Sequence, residues 1–262
     1  MQEKIEQGLM DPFVTLNTLK YDEQVRDSRM HDKRRSINVG FLAIAGNPLN
    51  WGHLLIAIMS MNVLQLDAVI LRVQGEIRYK NLPETDRVPV KDRHEVVQSV
   101  IKDLLPIVRY TDLGSEPDNE QEGFEESIRF ASLNVRRRLN IHYLLGIENR
   151  ERVEKYSPQF YQMIKKYEDQ ISPDHSITIG WIQRGEYGQQ ATYADIDAIN
   201  EQARQEAGVE EKLEVKLIKD PDIDLNVSST YYRNSHDAAI VPYLIDEHAK
   251  AHGYYGHPPI DP

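Results

Sequence analysis

Apolar residues along this chain fall into short continuous runs, separated by longer segments where apolar positions recur every three or four residues. Runs of this kind, rich in β-branched residues, are typical of strands that are buried on both faces of a sheet. They predict strands at 37–45, 67–73, 107–113, 141–147, 176–183 and 212–218. The longer segments predict helices at 53–66, 90–105, 122–139, 157–167, 193–207 and 241–252.

Glycine and proline mark several of the predicted helix ends. Pro158 after Ser157 predicts a helix start, and Gly208 and Gly253 each predict a helix end. Strands that alternate with helices favour a parallel sheet with helices on both faces. We therefore expect an α/β protein with a Rossmann-like parallel sheet flanked by helices. The expected domain boundaries are 1–36 for a charged N-terminal extension, 37–255 for this domain and 256–262 for a tail.

Composition narrows the classes of function. The 262 residues include 31 Lys and Arg against 42 Asp and Glu, a formal net charge of -11, which argues against general binding to nucleic acid. The chain has no cysteine, which excludes disulfides, thiolate metal sites and cysteine nucleophiles. The longest apolar stretch, 54–66, is too short to span a bilayer, and no apolar leader is visible. We therefore expect a cytoplasmic protein without nucleic-acid or membrane partners.

The most informative polar segment follows the first predicted strand. Ligands in sheets of this kind bind outside the carboxyl ends of the strands, and here the strand ends in GNPLNWGH, residues 46–53. Its first glycine lets backbone amides approach a ligand closely, and a helix that starts near His53 offers an anion site at its N-terminus. A histidine there can donate to a phosphate oxygen on which charge develops. Taken alone, the segment is equally well explained as a strand-to-helix turn with a capping histidine.

A second polar segment follows the sixth predicted strand. Ser228, Ser229 and Thr230 supply hydroxyl groups where a helix begins, and Arg233 lies one turn further on. Hydroxyls, backbone amides and a guanidinium together can hold a phosphate group. A Ser-Ser-Thr run before a helix is by itself most often a helix cap, so this segment alone is weak support for a binding site.

Together, and in this order, the two segments resemble the signatures of the nucleotidylyltransferase superfamily, a (H/T)xGH turn after the first strand and an ISSTxxR motif near the last. The likeness is narrower to the nicotinate and nicotinamide mononucleotide adenylyltransferases, and it runs over residues 37–255. Their GxFNPxHxGH turn is matched by NPLNWGH at 47–53, and their late motif by VSSTYYR at 227–233. The resemblance implies an HxGH-type nucleotidyltransferase fold.

Further matches to this family lie between the two segments. Gly146 and Glu148 stand in its GxD motif, which holds the sugar and base of the nucleotide. Tyr156 stands where the family has an aromatic residue, eight positions past that acid. Arg184 with Gly185 matches an RxG motif after the fifth strand, at a shorter spacing. Several matches in the same order are far harder to meet by chance than any one of them.

The chain also departs from the family pattern. Asn50 replaces the first histidine of HxGH, and it can donate to a phosphate but cannot carry a charge. Glu148 replaces the aspartate of the family, and Tyr232 replaces the isoleucine before the late arginine. These departures bear on the choice of substrate more than on the class of reaction.

The reaction that the resemblance implies is in-line attack by the phosphate of a mononucleotide on the α-phosphorus of ATP, with release of pyrophosphate. The attacking phosphate is already an anion, so catalysis needs positioning and charge stabilisation rather than a protein nucleophile. The implied catalytic residues are His53, Asn50 and Arg233. The implied ATP contacts are Gly46, Asn47, Gly52, Gly146, Glu148, Ser228, Ser229 and Thr230. The implied acceptor contacts are Tyr156, Lys80 and Arg184.

Expectations about cofactors and partners follow from that reaction. Mg²⁺ is expected on the triphosphate of ATP itself, and His248 and His252 are interpreted as an exposed helix face rather than as metal ligands. Trp51 and Trp181 are weaker candidates than Tyr156 for stacking on the base of the acceptor. A homo-oligomer is compatible with the sequence.

Several alternatives stay open. The acceptor is either nicotinate or nicotinamide mononucleotide, or another phosphate within the same superfamily, such as phosphopantetheine, or an alcohol phosphate with CTP. A nucleotide-binding relative that has lost catalysis is a third interpretation, with Asn50 and Glu148 as the lesions. Lys80 and Arg93, after the second predicted strand, are interpreted either as phosphate contacts or as surface charges.

Overall fold

A computed structural model describes this chain over residues 37–75, 82–104, 108–111, 139–147, 150–171, 175–183, 192–210, 213–218 and 228–258. The strands in these ranges are β1 (Ile37–Ile44), β2 (Ala68–Val73), β3 (Val108–Thr111), β4 (Leu139–Ile147), β5 (Ser176–Gln183) and β6 (Glu214–Ile218). The α-helices are α1 (Trp51–Leu64), α2 (Val90–Leu104), α3 (Arg150–Tyr167), α4 (Tyr193–Ala207), α5 (Ser229–Ser235) and α6 (Tyr243–His252). Short 3-10 helices lie at Glu84–Asp86, Glu168–Gln170, Ala238–Ile240 and Tyr254–Gly256. None of these helices is long and apolar enough to cross a membrane.

The strands of the described ranges form one parallel sheet, in the order β3-β2-β1-β4-β5-β6. Val39 of β1 pairs with Ala68 of β2 on one side and with Ile141 of β4 on the other, so β1 and β4 are central. The strand order reverses between β1 and β4, and doubly wound sheets bind ligands outside the carboxyl ends of the strands at this point. The Rossmann-like parallel sheet that the sequence predicts is confirmed.

Successive residues of the strands face two separate hydrophobic cores. In β1, Val39 and Phe41 pack on one face of the sheet, while Leu42 and Ile44 pack on the other. Helices α3 and α4 cover the first face, and α1, α2 and α6 cover the second. Both faces of the central strands are therefore buried, which explains why these strands form continuous apolar runs in the sequence.

Two glycines end the helices where the sequence predicts an end. Gly208 after α4 and Gly253 after α6 both adopt a left-handed backbone, with φ of 66° and 67°. Glycine takes this conformation without the steric cost that a Cβ brings. At the start of α4, Thr192 and Asp195 form a capping box. The predicted bounds of this helix, 193–207, are confirmed.

Helix α3 differs from the prediction at its start. The sequence predicts a start at Ser157 and Pro158, but α3 runs from Arg150, with Pro158 inside it. The prediction is wrong because the helix also buries a side chain before the proline, that of Val153, which is 0% exposed. Phe160 and Tyr161 of this helix are each 1% exposed. An interior proline costs roughly 3 kcal/mol, while burial of each large apolar side chain gains roughly 1.5–3 kcal/mol.

The other predicted elements agree with the structure to within two residues at each described end. The strand predicted over 176–183 agrees at both ends. The helix predicted over 122–139 lies outside the described residues except at Leu139, which begins β4. The alternation of apolar runs and helical segments was therefore sufficient to predict the order of the described strands and helices.

Candidate active site

The turn between β1 and α1 requires glycine at its start. Gly46 has a left-handed backbone, with φ of 61°. A Cβ built on it would lie only 3.1 Å from a methyl group of Val73, at the end of β2. Glycine therefore lets the turn lie directly against the carboxyl ends of β1 and β2.

Buried Arg93 holds the ends of β1 and β2 beside this turn. Its guanidinium donates to the carbonyl oxygens of Ala45 at 2.6 Å, Gln74 at 2.8 Å and Val88 at 3.2 Å, and also to that of Gly75. The residue is 1% exposed. The interpretation as a surface charge is therefore wrong. The donors of Arg93 serve carbonyl groups that the ends of the strands would otherwise leave unpaired.

At the N-terminus of α1, Asn50 and His53 cap the helix reciprocally. The Oδ1 of Asn50 accepts the backbone N–H of His53 at 3.1 Å, and the Nδ1 of His53 accepts the backbone N–H of Asn50 at 3.2 Å. Because Nδ1 is the acceptor, the proton of the neutral ring is assigned to Nε2. Asn50 is 2% exposed and His53 is 8% exposed. The contact thus fixes the position of the imidazole and the nitrogen that donates.

The first turn of α5 lies directly beside the first turn of α1. The Nδ2 of Asn50 donates to the Oγ of Ser229 at 3.1 Å, across 179 positions of the chain. The Oγ of Ser229 in turn donates to the carbonyl oxygen of Pro48 at 2.9 Å. The two polar segments that the sequence singles out are therefore brought together after the carboxyl end of β1.

Helix α5 carries the other polar groups of the second segment. Ser228 is its N-cap, and the Oγ of Ser228 accepts a backbone N–H of the first turn at 3.1 Å. The guanidinium of Arg233 donates to the carbonyl oxygen of Asn47 at 2.8 Å and to the Oγ1 of Thr230 at 3.0 Å. Ser228 is thus a helix cap, while Ser229 and Arg233 reach the turn between β1 and α1.

Asn47 connects that turn to two further segments. Its Nδ2 donates to the carbonyl oxygen of Asp86 at 2.7 Å, and its Oδ1 accepts the hydroxyl of Tyr255 at 3.0 Å. The carboxylate of Asp86 also lies 3.3 Å from the Nε of Arg233, as an ion pair. Sequence reasoning missed Asp86 and Tyr255 as site residues. The available signal for Asp86 was an acidic residue between β2 and α2, at the same edge of the sheet.

Tyr232 places a polar anchor where the family motif has isoleucine. Its hydroxyl donates to Asp246 of α6 at 2.9 Å and lies 3.2 Å from the Nε2 of His257. Its ring packs edge-on against the ring of Tyr255, with centroids 5.7 Å apart. Burial, together with the Asp246 carboxylate, raises the pKa of the Tyr232 hydroxyl, so the group remains a donor. Helix α5, and Arg233 with it, is thereby fixed to α6.

The ATP and acceptor contacts that the sequence predicts between the two phosphate segments are only partly described. Gly146 lies near the end of β4 and pairs with Ile182 of β5. Tyr156 lies on α3, in the layer that covers the opposite face of the sheet from α1. The Nζ of Lys155 lies 5.5 Å from the centre of the Tyr156 ring. The predicted residues that lie outside the described ranges are Lys80, Glu148 and Arg184.

The two tryptophans differ in their surroundings. Trp181 is 0% exposed and belongs to the core beneath α3 and α4, so its suggested role in stacking on a ligand is wrong. Its burial follows from the alternation of β5, where Ile177 and Ile179 face the same core. Trp51 is the first residue of α1 and is half-buried, next to Asn50.

The histidines of α6 pack on each other. His248 and His252 have ring centres 4.2 Å apart, and the Nδ1 of His252 lies 2.9 Å from the carbonyl oxygen of His248. Within the described part of the chain, no three His, Asp or Glu side chains form a group that could hold a metal ion. His252 is exposed and His248 is half-buried, which places the pair along one side of the helix.

Solved structures of one enzyme share this architecture. Two structures of nicotinic acid mononucleotide adenylyltransferase from Plasmodium falciparum, complexed with APC and with NaAD, match with TM-scores of 0.56 and 0.58. Each match covers 85% of this chain and 98% of that chain, at 11% sequence identity. This chain has the fold of that adenylyltransferase. The Rossmann-like parallel sheet that the sequence predicts is therefore shared with this enzyme.

Other comparisons add little to this match. No protein-family model and no curated protein matches the sequence. A structure of TmcAL from Thermotoga maritima, bound with alpha-thio ATP, covers 81% of this chain and 55% of that chain, at 12% identity. Its TM-score of 0.35 is too low to support an inference about this protein.

Proposed function

We propose that this protein transfers the adenylyl group of ATP to nicotinate or nicotinamide mononucleotide, releasing pyrophosphate and forming a pyridine dinucleotide. The observation that carries the proposal is the contact between the first turns of α1 and α5, where Asn50 donates to Ser229. This contact joins the turn that carries His53 to the helix that carries Arg233, at the edge of the sheet where doubly wound folds bind nucleotides. The fold shared with the Plasmodium enzyme supports the same class of reaction.

The chemistry requires a site that holds two anions in line. A phosphate oxygen of the mononucleotide forms the new bond to the α-phosphorus of ATP. The bond from that phosphorus to the bridging oxygen breaks, and the electron pair leaves on pyrophosphate. Because the attacking group is already anionic, the protein supplies positioning and hydrogen-bond donors rather than a nucleophile. ATP enters as its Mg²⁺ complex, so the metal ion is part of the substrate.

His53 is suited to donate to the α-phosphate. Its Nδ1 accepts the N–H of Asn50, so the donor proton is on Nε2. A donor that is fixed before the reaction stabilises charge on the phosphate oxygens without having to reorganise. The N-terminus of α1 adds its backbone amides to the same place. Asn50 supports the His53 donor and the helix N-terminus together, since it caps α1 and fixes His53.

Arg233 is suited to hold the β- and γ-phosphates. It is a charged donor that lies against the turn between β1 and α1, through its contact with Asn47. Thr230, on the same short helix, adds a neutral hydroxyl donor, and Ser229, whose hydroxyl donates to Pro48, adds its backbone amide. A guanidinium matches the spacing of two phosphate oxygens, and its charge balances that of the leaving pyrophosphate.

The remaining ATP contacts and the acceptor contacts of the proposal are residues that lie between the two phosphate segments. Gly146 lies near the end of β4, next to β1, where the strand order reverses. Gly146 and Glu148 are assigned to the ribose and adenine of ATP, and Tyr156, Lys80 and Arg184 to the acceptor. These assignments rest on the family resemblance, and the Plasmodium enzyme was solved in complex with NaAD.

The experiment that tests the proposal is an assay of pyrophosphate release from MgATP, with nicotinate and nicotinamide mononucleotide offered separately. His53→Ala is expected to lower kcat by about 100-fold or more, as loss of one preorganised donor typically does. His252→Ala is the matched control, because His252 is exposed on α6, and this variant is expected to keep the wild-type rate. The ratio of the two wild-type rates identifies the acceptor.

The same assay can contradict the proposal. Binding of MgATP without pyrophosphate release from either mononucleotide would reject a pyridine mononucleotide as acceptor. Adding phosphopantetheine, and an alcohol phosphate with CTP, then separates a different acceptor from a relative that has lost catalysis. Activity that survives in His53→Ala would reject the mechanism, whichever acceptor is used.

A further inference from the structure

Three residues from separate segments close a ring of contacts beside the proposed phosphate site. Asn47 donates through Nδ2 to the carbonyl oxygen of Asp86 at 2.7 Å. The carboxylate of Asp86 pairs with the Nε of Arg233 at 3.3 Å. Arg233 closes the ring by donating to the carbonyl oxygen of Asn47 at 2.8 Å. Each residue contacts both of the others, so the orientation of Arg233 depends on Asp86.

The ion pair in this ring is largely shielded from water. The side chains of Arg233 and Asp86 are 8% and 17% exposed. An exposed pair of this kind contributes little, because water screens the two charges. A shielded pair is different, since removal of one partner leaves the other charge without a counter-ion. Asp86 is therefore placed to control where the guanidinium of Arg233 lies.

Arg233 keeps donors for a ligand while it is held in this way. A guanidinium has five N–H groups. Within the described part of the chain, Asn47 accepts from one terminal nitrogen and Thr230 from the other, while Nε faces Asp86 as an ion pair. One N–H group on each terminal nitrogen is left. Two donors on one planar group suit two oxygens of a phosphate.

We propose that Asp86 is a positioning residue for phosphate binding, which holds Arg233 so that its two remaining N–H groups face the phosphates of the nucleotide. The inference rests on the proposed function in one respect, that the site binds a phosphate chain, and it does not depend on the acceptor. A carboxylate near a triphosphate also repels it. Positioning therefore predicts weaker phosphate binding when the charge of Asp86 is removed, whereas simple repulsion predicts tighter binding.

Four variants isolate this effect. Asp86→Asn removes the charge, preserves the size of the side chain and leaves the backbone carbonyl to which Asn47 donates. Glu84→Gln is the matched control, because Glu84 is an exposed carboxylate in the same 3-10 helix. Arg233→Ala, alone and combined with Asp86→Asn, shows whether Asp86 acts through Arg233. Thermal unfolding of each variant establishes that it is folded at the assay temperature.

The measurement is calorimetric binding of inorganic tripolyphosphate, and separately of MgATP, to the full chain. Asp86→Asn is expected to raise both dissociation constants about tenfold, as loss of one charge-assisted contact does. Glu84→Gln is expected to change them by less than about twofold, the range typical of independent sites. In the Arg233→Ala background, Asp86→Asn is likewise expected to change them by less than about twofold.

Several results would overturn the inference. These are tighter binding of tripolyphosphate by Asp86→Asn, unchanged binding, or an equal change with and without Arg233. If Asp86→Asn proves unstable, Asp86→Glu decides, because it restores the charge and is expected to bind tripolyphosphate within about threefold of the wild-type constant. A wild-type protein that binds neither tripolyphosphate nor MgATP would overturn both proposals. Tripolyphosphate binding without dinucleotide synthesis would overturn the proposed function alone.

Discussion

The first turns of α1 and α5 meet in one site, but they are held in opposite ways. Asn50 and His53 cap α1 through hydrogen bonds between residues three positions apart. In α5, Ser229 and Arg233 are held by carbonyl groups 181 and 186 positions away. The α1 cap is therefore a local structure, whereas the position of α5 depends on the rest of the fold. The site joins a part that the local sequence determines to a part that only tertiary structure can place.

The largest effect is expected from the removal of Arg233, which belongs to the part of the site that long-range contacts hold. Arg233→Ala is expected to lower kcat/KM for ATP by about 100-fold or more, because a charged donor to the phosphates is lost. Steady-state pyrophosphate release measures this. Arg204→Ala is the control, since Arg204 lies on α4, on the opposite face of the sheet, and it should keep the wild-type kcat/KM. Comparable losses in the two variants would show that the effect is not specific to the site.

Asn50 belongs to both parts, because its Oδ1 caps α1 and its Nδ2 reaches Ser229. Asn50→Ala loses both contacts and is expected to lower the free energy of unfolding by about 2 kcal/mol. Asn50→Asp keeps an oxygen that can cap the helix but lacks the Nδ2 donor, so we expect a loss of about 1 kcal/mol. Urea denaturation separates the two variants. Equal losses would mean that the cap and the contact between helices are not separable.

Tyr232 tests how α5 is anchored at its other side. Tyr232→Phe removes the hydroxyl that donates to Asp246, and we expect a loss of about 1 to 1.5 kcal/mol in the free energy of unfolding. Tyr231→Phe is the neighbouring control, because Tyr231 is 53% exposed, and it should stay within about 0.5 kcal/mol of the wild type. Urea denaturation checks both values. If Tyr232→Phe has the same free energy of unfolding as the wild type, ring packing alone holds α5.

A separate effect, which is absent at neutral pH, concerns the pH dependence of the core on which both helices rest. Burial, helped by the positive charges of Arg93 and Arg72, lowers the pKa of His94 from 6.5 to about 4. Between these two values the unfolded chain binds a proton that the folded chain does not bind, so this contribution to stability is complete above pH 6.5 and is lost as the pH falls towards 4.

A variant makes this prediction specific to one histidine. In that window, the slope of the unfolding free energy against pH reports how many more protons the unfolded chain binds than the folded chain. His94→Gln is expected to reduce this difference by up to about one proton. Urea denaturation at a series of pH values measures the slope. The same slope in the variant and the wild type would mean that His94 titrates alike in the folded and unfolded chains.

What could be predicted from the sequence follows the same division between local and long-range structure. The apolar runs predicted the strands because both faces of the sheet are buried, and Gly208 and Gly253 marked helix ends through their own backbone preference. The start of α3 was missed, because Pro158 is a local signal that burial on both sides of it, at Val153 and Phe160, overrides. Local signals were reliable wherever tertiary packing did not oppose them.

The site divides in the same way. His53 and Arg233 could be named from motifs, since their spacing within each segment is preserved in the sequence. Asp86 and Tyr255 could not, because their contacts with Asn47 and Arg233 become visible only when distant segments of the chain meet. The buried role of Arg93 was also inaccessible, since the carbonyl groups it serves come from the ends of two strands and the segment before α2.

The central claim is that the turn after β1 and the first turn of α5 form one phosphate site. A crystal structure of the protein with Mg²⁺ and a non-hydrolysable ATP analogue tests it most directly. We expect the α-phosphate within about 3 Å of the Nε2 of His53, and the β- and γ-phosphates in contact with Arg233, still paired with Asp86. An analogue bound away from either segment, or to only one of them, would contradict the claim.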